Sequence, residues 1–421
     1  MLRTYWCVTL ALALMLGFQP IISGAHGPTW RIVPPNDQGN ASARNPCISG
    51  DGRYVAFSSY ASNYVPNDTN ETGDVFVYDR LDRTFQLASQ SSTGELGDDW
   101  SGSPSISEHG RYVAFESHAS TFAPAWKSYV ADVFVRDMKE GTTILVSTNM
   151  HGERGNSVSQ GGLQISAGGR HVAFASSASD LVLDDTNNAV DVFVRDLVEG
   201  VTTRVSMSPS GTQMREDSYS PSISADGRYV AFCVRSEYYV HDCAAHATTR
   251  IPSAGGHGGG SPDVSPDGRY IAFLQYGPSY VPNPYRLMLY DIEEGTVRAA
   301  LSGLNPYPMP QQVALSWDGR YVALASGAPD LVQEDTNEWS DVFILDTVEG
   351  VIRRISQAFD GGDANGDSSS PSISYDGATA TYLSDANNLV TADTNAEADV
   401  FLWSDVADGH SLFLPVILRG D

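Results

Sequence analysis

Four stretches of this chain set two carboxylates and an amide at one spacing. They are Asp68, Asn70 and Asp74; Asp185, Asn187 and Asp191; Asp335, Asn337 and Asp341; Asp393, Asn395 and Asp399. Asp-x-Asn-x-x-x-Asp presents three hard oxygen donors at positions one, three and seven of a loop, a subset of the pattern that coordinates calcium. Calcium is therefore the candidate cofactor, and these twelve residues are its candidate ligands. The pattern departs at position five, which is Thr72, Ala189, Trp339 or Glu397. A second job suits the same residues, since Asp and Asn side chains hydrogen-bond their own backbone in turns. A fifth copy keeps Asp132 ahead of Val-Phe-Val after losing its Asp-Thr-Asn, as that turn role requires.

Other reactive side chains are sparse. Cys233, His241, Cys243 and His246 are zinc-type ligands, but their spacing matches no zinc module. In an oxidising compartment Cys233 and Cys243 could form a disulfide. Cys47 would then be left unpaired. His257-Gly-Gly-Gly260 has the look of an esterase oxyanion string, yet no Gly-x-Ser-x-Gly elbow accompanies it and a connector is the simpler reading. No His-Glu-x-x-His occurs. No residue is singled out as catalytic, and whether the chain is an enzyme stays open.

The elements that position these residues are repeats. Ser220-Pro-Ser-Ile-Ser-Ala-Asp-Gly-Arg-Tyr-Val-Ala-Phe232 returns in seven versions, centred on Gly52, Gly110, Gly169, Gly227, Gly268, Gly319 and Gly377. The intervals between those glycines are 58, 59, 58, 41, 51 and 58 residues. A period of that size marks a repeat architecture. Within a unit, Pro-Ser-Ile-Ser reads as one short strand and Asp-Gly as a hairpin turn. Arg-Tyr-Val-Ala-Phe is a second strand with two apolar faces. Asp191-Val-Phe-Val-Arg-Asp196 and Thr202-Thr-Arg-Val-Ser206 supply a third and a fourth. A lone four-stranded sheet that is apolar on both faces cannot stay soluble, whereas seven packed face to face can. The expected fold is therefore all-β: a seven-bladed β-propeller of four-stranded antiparallel blades, closed by pairing of the chain ends.

Ser265-Pro-Asp-Gly-Arg-Tyr-Ile-Ala-Phe273 resembles the WD40-like (PD40) repeat of the TolB propeller family. Leu181-Val-Leu-Asp-Asp-Thr-Asn-Asn-Ala-Val-Asp-Val-Phe-Val-Arg-Asp196 resembles the variant of that repeat common in secreted bacterial proteins. The resemblance spans about residues 29 to 404. It implies a propeller and leaves function open, because such propellers act as binding scaffolds, as partners of other domains and sometimes as enzymes.

Residues 1–25 read as a secretory signal: Arg3, the apolar run from Val8 to Phe18, and Ser23-Gly-Ala25 as a cleavage site. The propeller then occupies 26–404 and a tail or edge strand 405–421. A secreted, extracellular or periplasmic location follows, with no integral span after cleavage. Thr29 to Val33 matches the fourth-strand slot and is expected to complete the last blade, with Ser411 to Leu418 as competitor. After cleavage 24 basic residues face 51 acidic ones, or −27, which argues against nucleic acid and anionic membranes as partners.

Four-stranded blades send their second-to-third and blade-to-blade connections to one face, and here those are the long polar ones. Recognition is expected on that face. Its acids and the aromatics Trp100, Trp126, Tyr129 and Trp339 suit a protein, peptide or glycan. The first reading is thus a non-catalytic, monomeric binding propeller. The alternative is a hydrolase or lyase of extracellular polysaccharide with acids in the central mouth.

Overall fold

A computed structural model describes residues 28–34, 38–123, 130–253, 257–258, 260–276, 285–304, 312–333 and 335–405. Its strands form seven separate antiparallel sheets, and in all but the last blade sequence order runs from the inside outward. In blade one they are Ala43–Ile48, Tyr54–Ser59, Asp74–Asp79 and Thr84–Leu87. Blade five departs slightly, because its inner strand is split into His257–Gly258 and Asp263–Val264, both pairing with Tyr270–Tyr276. The architecture is the seven-bladed propeller that the repeat pattern required.

The last blade takes its outer strand from the other end of the chain. Ser368–Ile373, Thr379–Ser384 and Asp399–Ser404 are followed in the sheet by Thr29–Arg31. The register sets Thr29 opposite Trp403, Trp30 opposite Leu402 and Arg31 opposite Phe401. Ser411 to Leu418 lies outside the described residues.

A second closure runs around the axis. In each blade one of the two residues after the serine that follows the first strand donates its backbone N–H to the next blade. Glu108 N–H donates to Ala167 O (3.1 Å), Ala167 to Ala225 O (3.2 Å) and Ala225 to Pro266 O (2.9 Å). Pro266 has no N–H to give, and Asp267 donates in its place to Trp317 O (3.1 Å). Trp317 donates to Tyr375 O (2.8 Å), Tyr375 to Gly50 O (2.9 Å), and Asp51 to Glu108 O (3.0 Å). The circuit returns to its start, which an open spiral of blades could not do.

The signature Asp-Gly-Arg-Tyr owes its form to packing between blades. The hairpin glycines have positive φ, +70° at Gly110, where a side chain is strained. On all but Gly52, which meets Thr379, the aromatic ring of the preceding blade also lies: a Cβ at Gly110 would stand 2.2 Å from Tyr54 Cδ2. The arginine then grips the end of its own third strand, as in Arg53–Asp79 (2.7 Å), Arg170–Asp196 (2.7 Å) and Arg228–Asp242 (2.8 Å). Between the sheets Phe57, Phe76, Phe115, Phe134, Phe174 and Phe193 are fully buried, each worth about 2–3 kcal/mol of transfer free energy.

Candidate functional site

The acid–amide loops lead into the third strands on the long-connection face. In blades one, two, three and six the strand's first Asp is buried and accepts a hydroxyl from the serine that follows the fourth strand, whereas Asp399 in the last blade is held by Arg31 and Asn395. The distances are 2.6 Å for Ser89–Asp74, 2.9 Å for Ser147–Asp132 and 2.5 Å for Ser356–Asp341. The loop asparagine ties its blade to the next connection. Asn70 Nδ2 donates to Asp74 (2.8 Å) and to Gly97 O (3.0 Å); Asn187 does the same to Asp191 (2.8 Å) and Met214 O (2.9 Å). Asn337 donates to Ala364 O (3.1 Å), and Asn395 to Gly39 O (3.1 Å) and Asp399 (3.3 Å).

Three of the four loops already hold a cation, and it is a guanidinium. Arg354 Nη1 lies 3.2 Å from Asp335, 3.2 Å from Asp341 and 2.8 Å from Asp363, with only 1% of its side chain exposed. Arg31 stands 2.6 Å from Asp393 and 3.0 Å from Asp399. Arg204 stands 3.3 Å from Asp185 and 3.9 Å from Asp191. All three come from one slot of the outer strand, opposite Phe343, Phe401 and Phe193. In blade two the slot holds Leu145, and Arg154 from the following turn pairs with Asp132 instead.

Blade one differs. Leu87 fills the arginine slot, opposite Phe76. Burial, then the adjacent Asp74 carboxylate, lifts Asp68 to about 6. Asp335 is also lifted to about 6, by burial first and then by Asp341, against the pull of Arg354. These arginines were missed in the sequence, although the signal was there. Thr29-Trp-Arg31, Thr202-Thr-Arg204 and Val351-Ile-Arg-Arg354 occupy the same slot, and Leu87 breaks the series.

The aromatic candidates do not gather into one patch. Trp100 packs over Gly73 and Gly102, where added Cβ atoms would stand 2.6 and 2.3 Å from its ring, and lies 5.8 Å from His118. Trp339, in the loop of blade six, is 48% exposed. Trp126 and Tyr129 lie outside the described residues. The expected Cys233–Cys243 disulfide is corrected: both thiols are free, as is Cys47. Cys233 packs with Ala231 and Tyr238 toward blade five, Cys243 with Tyr239 and Val205 toward blade three. They stand on opposite faces of one sheet, beyond the reach of a bond that needs Cβ atoms about 4 Å apart.

The axis is lined by one side chain per blade: Cys47, Ser105, Gln164, Ser222, Asp263, Ala314 and Ser372. All but Ser222 border a cavity of about 120 Å³. Most are engaged across a blade boundary. Ser372 accepts Ile48 N–H (3.2 Å), Ser105 accepts Ile165 N–H (3.1 Å), and Gln164 accepts Ile223 N–H (2.5 Å). Asp263 accepts Leu315 N–H (2.8 Å) and the Ser222 hydroxyl (2.8 Å), and burial lifts it to about 6. Cys47 is buried as well, which pushes its thiol up to about 12.

Fold and site together define a closed seven-bladed propeller whose long-connection face rests on internal acid–arginine cradles. Solved structures of the same fold are oligogalacturonate lyases. The enzyme from Vibrio parahaemolyticus superposes at TM-score 0.57 with 11% identity, covering 90% of this chain and 98% of its own. An oligogalacturonate lyase in complex with manganese gives 0.58 and 14%, covering 91% and 95%. TolB from Acinetobacter baumannii is a weaker likeness, at 0.44 and 15%, covering 72% of this chain and 66% of its own. No family model matches the chain, and no curated protein does. Identities this low show a shared fold alone. The axial residues do not fit a manganese centre: Asp263 is the one carboxylate among them, and both its oxygens accept hydrogen bonds. Among the described residues, no group of three or more His, Cys, Asp or Glu is placed to hold a metal ion.

Proposed function

We propose that this protein is a secreted, non-catalytic propeller that binds a protein, peptide or glycan through its long-connection face. The observation that carries the reading is the pairing of that face's buried acids with Arg31, Arg204 and Arg354, while its exposed acids crown a rigid ring. Glu71, Asp184 and Glu338 stand exposed on the loops of three blades, beside the half-exposed Trp339. With a chain charge of −26, that favours a basic partner. Exposed acids on a fixed scaffold steer and orient a ligand without needing perturbed groups for chemistry.

The test is titration of basic, neutral and acidic peptides and neutral oligosaccharides at two ionic strengths. Support is binding of a probe that the triple variant Glu71→Lys/Asp184→Lys/Glu338→Lys weakens about tenfold or more. Turnover of oligogalacturonate, or binding that ignores the triple variant, contradicts the reading.

Calcium keeps a place in this reading at blade one alone, because Leu87 leaves Asp68, Asn70 and Asp74 without the arginine found in the related loops. Those three residues would hold the ion. A rise in Tm at millimolar calcium, absent in Asp68→Asn, supports that role, and no shift ends it.

A further inference from the structure

The boundary between blades three and four has a cavity of about 440 Å³, lined by Thr203, Ser208, Ser210, His241, His246 and Thr248. It lies between outer strands, under the blade-to-blade connection that carries Ser208 and Ser210. What belongs there can be read from the neighbouring blades. In blade two Arg136 pairs with Thr143 across the third and fourth strands, in blade three Arg195 with Thr202, and in blade four His241 with Thr248. Arg136 reaches the turn Gln90–Leu96 of the preceding blade, donating to Ser91 O (3.1 Å), Gln90 O (3.5 Å) and Thr143 Oγ1 (3.0 Å). Arg195 keeps the last of these bonds, to Thr202 Oγ1 (3.0 Å).

At the next boundary the same kind of turn, Met207–Gln213, faces His241. An imidazole is shorter than a guanidinium arm. His241 Nδ1 meets Thr248 Oγ1 at 2.9 Å, and the ring then stops. The residue is 3% exposed and its Nε2 has no hydrogen-bond partner. A polar atom buried without a partner is destabilising, so a group that supplies the missing bond would be bound with that advantage. Arg204 also borders the cavity, but its Nη1 is turned to Asp185 at 3.3 Å.

We propose that this cavity is an anchor site for an arginine side chain of a basic partner. The incoming guanidinium would stand where Arg136 stands two boundaries earlier, against the turn backbone, the hydroxyls of Ser208 and Ser210, and His241 Nε2. The inference concerns the outer rim and does not depend on the long-connection face.

The probe is N-acetyl-arginine amide, titrated into the full chain while the histidine ring signals are followed by NMR, with the neutral citrulline analogue as control. The expected result is saturable binding in the millimolar range, with the citrulline analogue weaker by about tenfold, as loss of a charged hydrogen bond implies. His241→Arg fills the cavity with the chain's own guanidinium, and it should abolish probe binding without lowering Tm. Ser210→Glu, at an exposed position where folding is not at stake, should tighten binding about three- to tenfold. The loop variant Glu71→Lys/Asp184→Lys/Glu338→Lys should leave the His241 response in place, which separates this site from the face proposed above. Absence of binding to the native chain, equal binding of the citrulline analogue, or an unchanged response in His241→Arg or Ser210→Glu overturns the proposal.

Discussion

Replacing Arg354 by methionine removes the cation from the most buried of the acid–arginine cradles. Methionine keeps the unbranched arm and its packing, so the loss is chiefly electrostatic. Arg354 is 1% exposed, and it faces Asp335 and Asp341, whose side chains are 1% and 0% exposed. Breaking a buried ion pair by deleting one partner costs about 3–5 kcal/mol, because a charge is left buried and unpaired. Two fully buried carboxylates and the partly exposed Asp363 are left here, so the upper half of that range is expected. The loss would be a large part of the 5–15 kcal/mol typical of a folded domain.

Urea unfolding at neutral pH reads it out. Adding Asp335→Asn and Asp341→Asn to the variant should return most of the loss, since only the solvent-reached Asp363 then keeps an unpaired charge. Arg204→Met should cost less, because its pairs are longer, at 3.3 and 3.9 Å, and it is 10% exposed. A loss below about 1 kcal/mol for Arg354→Met, the scale of an exposed pair, would refute the reasoning. So would a triple variant no more stable than the single one.

Three further outcomes are expected. Asp68, Asp263 and Asp335 are each lifted to about 6 in the folded chain, against about 4 unfolded, so the folded state binds their protons first. Tm should therefore rise as pH falls from about 7 to about 5. Below about 4 it should drop, as Asp196 and Asp242, held low by Arg170 and Arg228, are forced to protonate. Gly110→Ala puts a Cβ 2.2 Å from Tyr54 at a φ of +70° and should cost about 2–5 kcal/mol in urea unfolding. Deleting the chain through Val33 strips the partner from Asp399–Ser404 and should lower both Tm and the urea m-value.

The repeat pattern carried the fold because each signature residue acts close to home. Asp-Gly makes its own turn, Tyr54 covers the glycine of the next hairpin, and the Thr29–Arg31 strand sits in the slot its sequence matched. The site was less legible, since its partners are brought together by register. Arg354 follows Asp335 by nineteen positions (354 − 335), and only the pairing of Phe343 with Arg354 aims it into the loop. Cys233 and Cys243 misled for the same reason: their face depends on hairpin pairing, Cys233 opposite Tyr238, which puts them on opposite sides of the sheet. The vacancy beside His241 is visible only by comparison with Arg136 in its cavity.

The most direct measurement is a crystal structure of the chain grown with manganese and calcium, with an anomalous difference map over the loops and the axis. The account predicts the guanidinium groups of Arg31, Arg204 and Arg354 seated between their carboxylates, and no metal peak there or beside Asp263. A metal between Asp335 and Asp341 with Arg354 turned outward, or one on the axis, would contradict it.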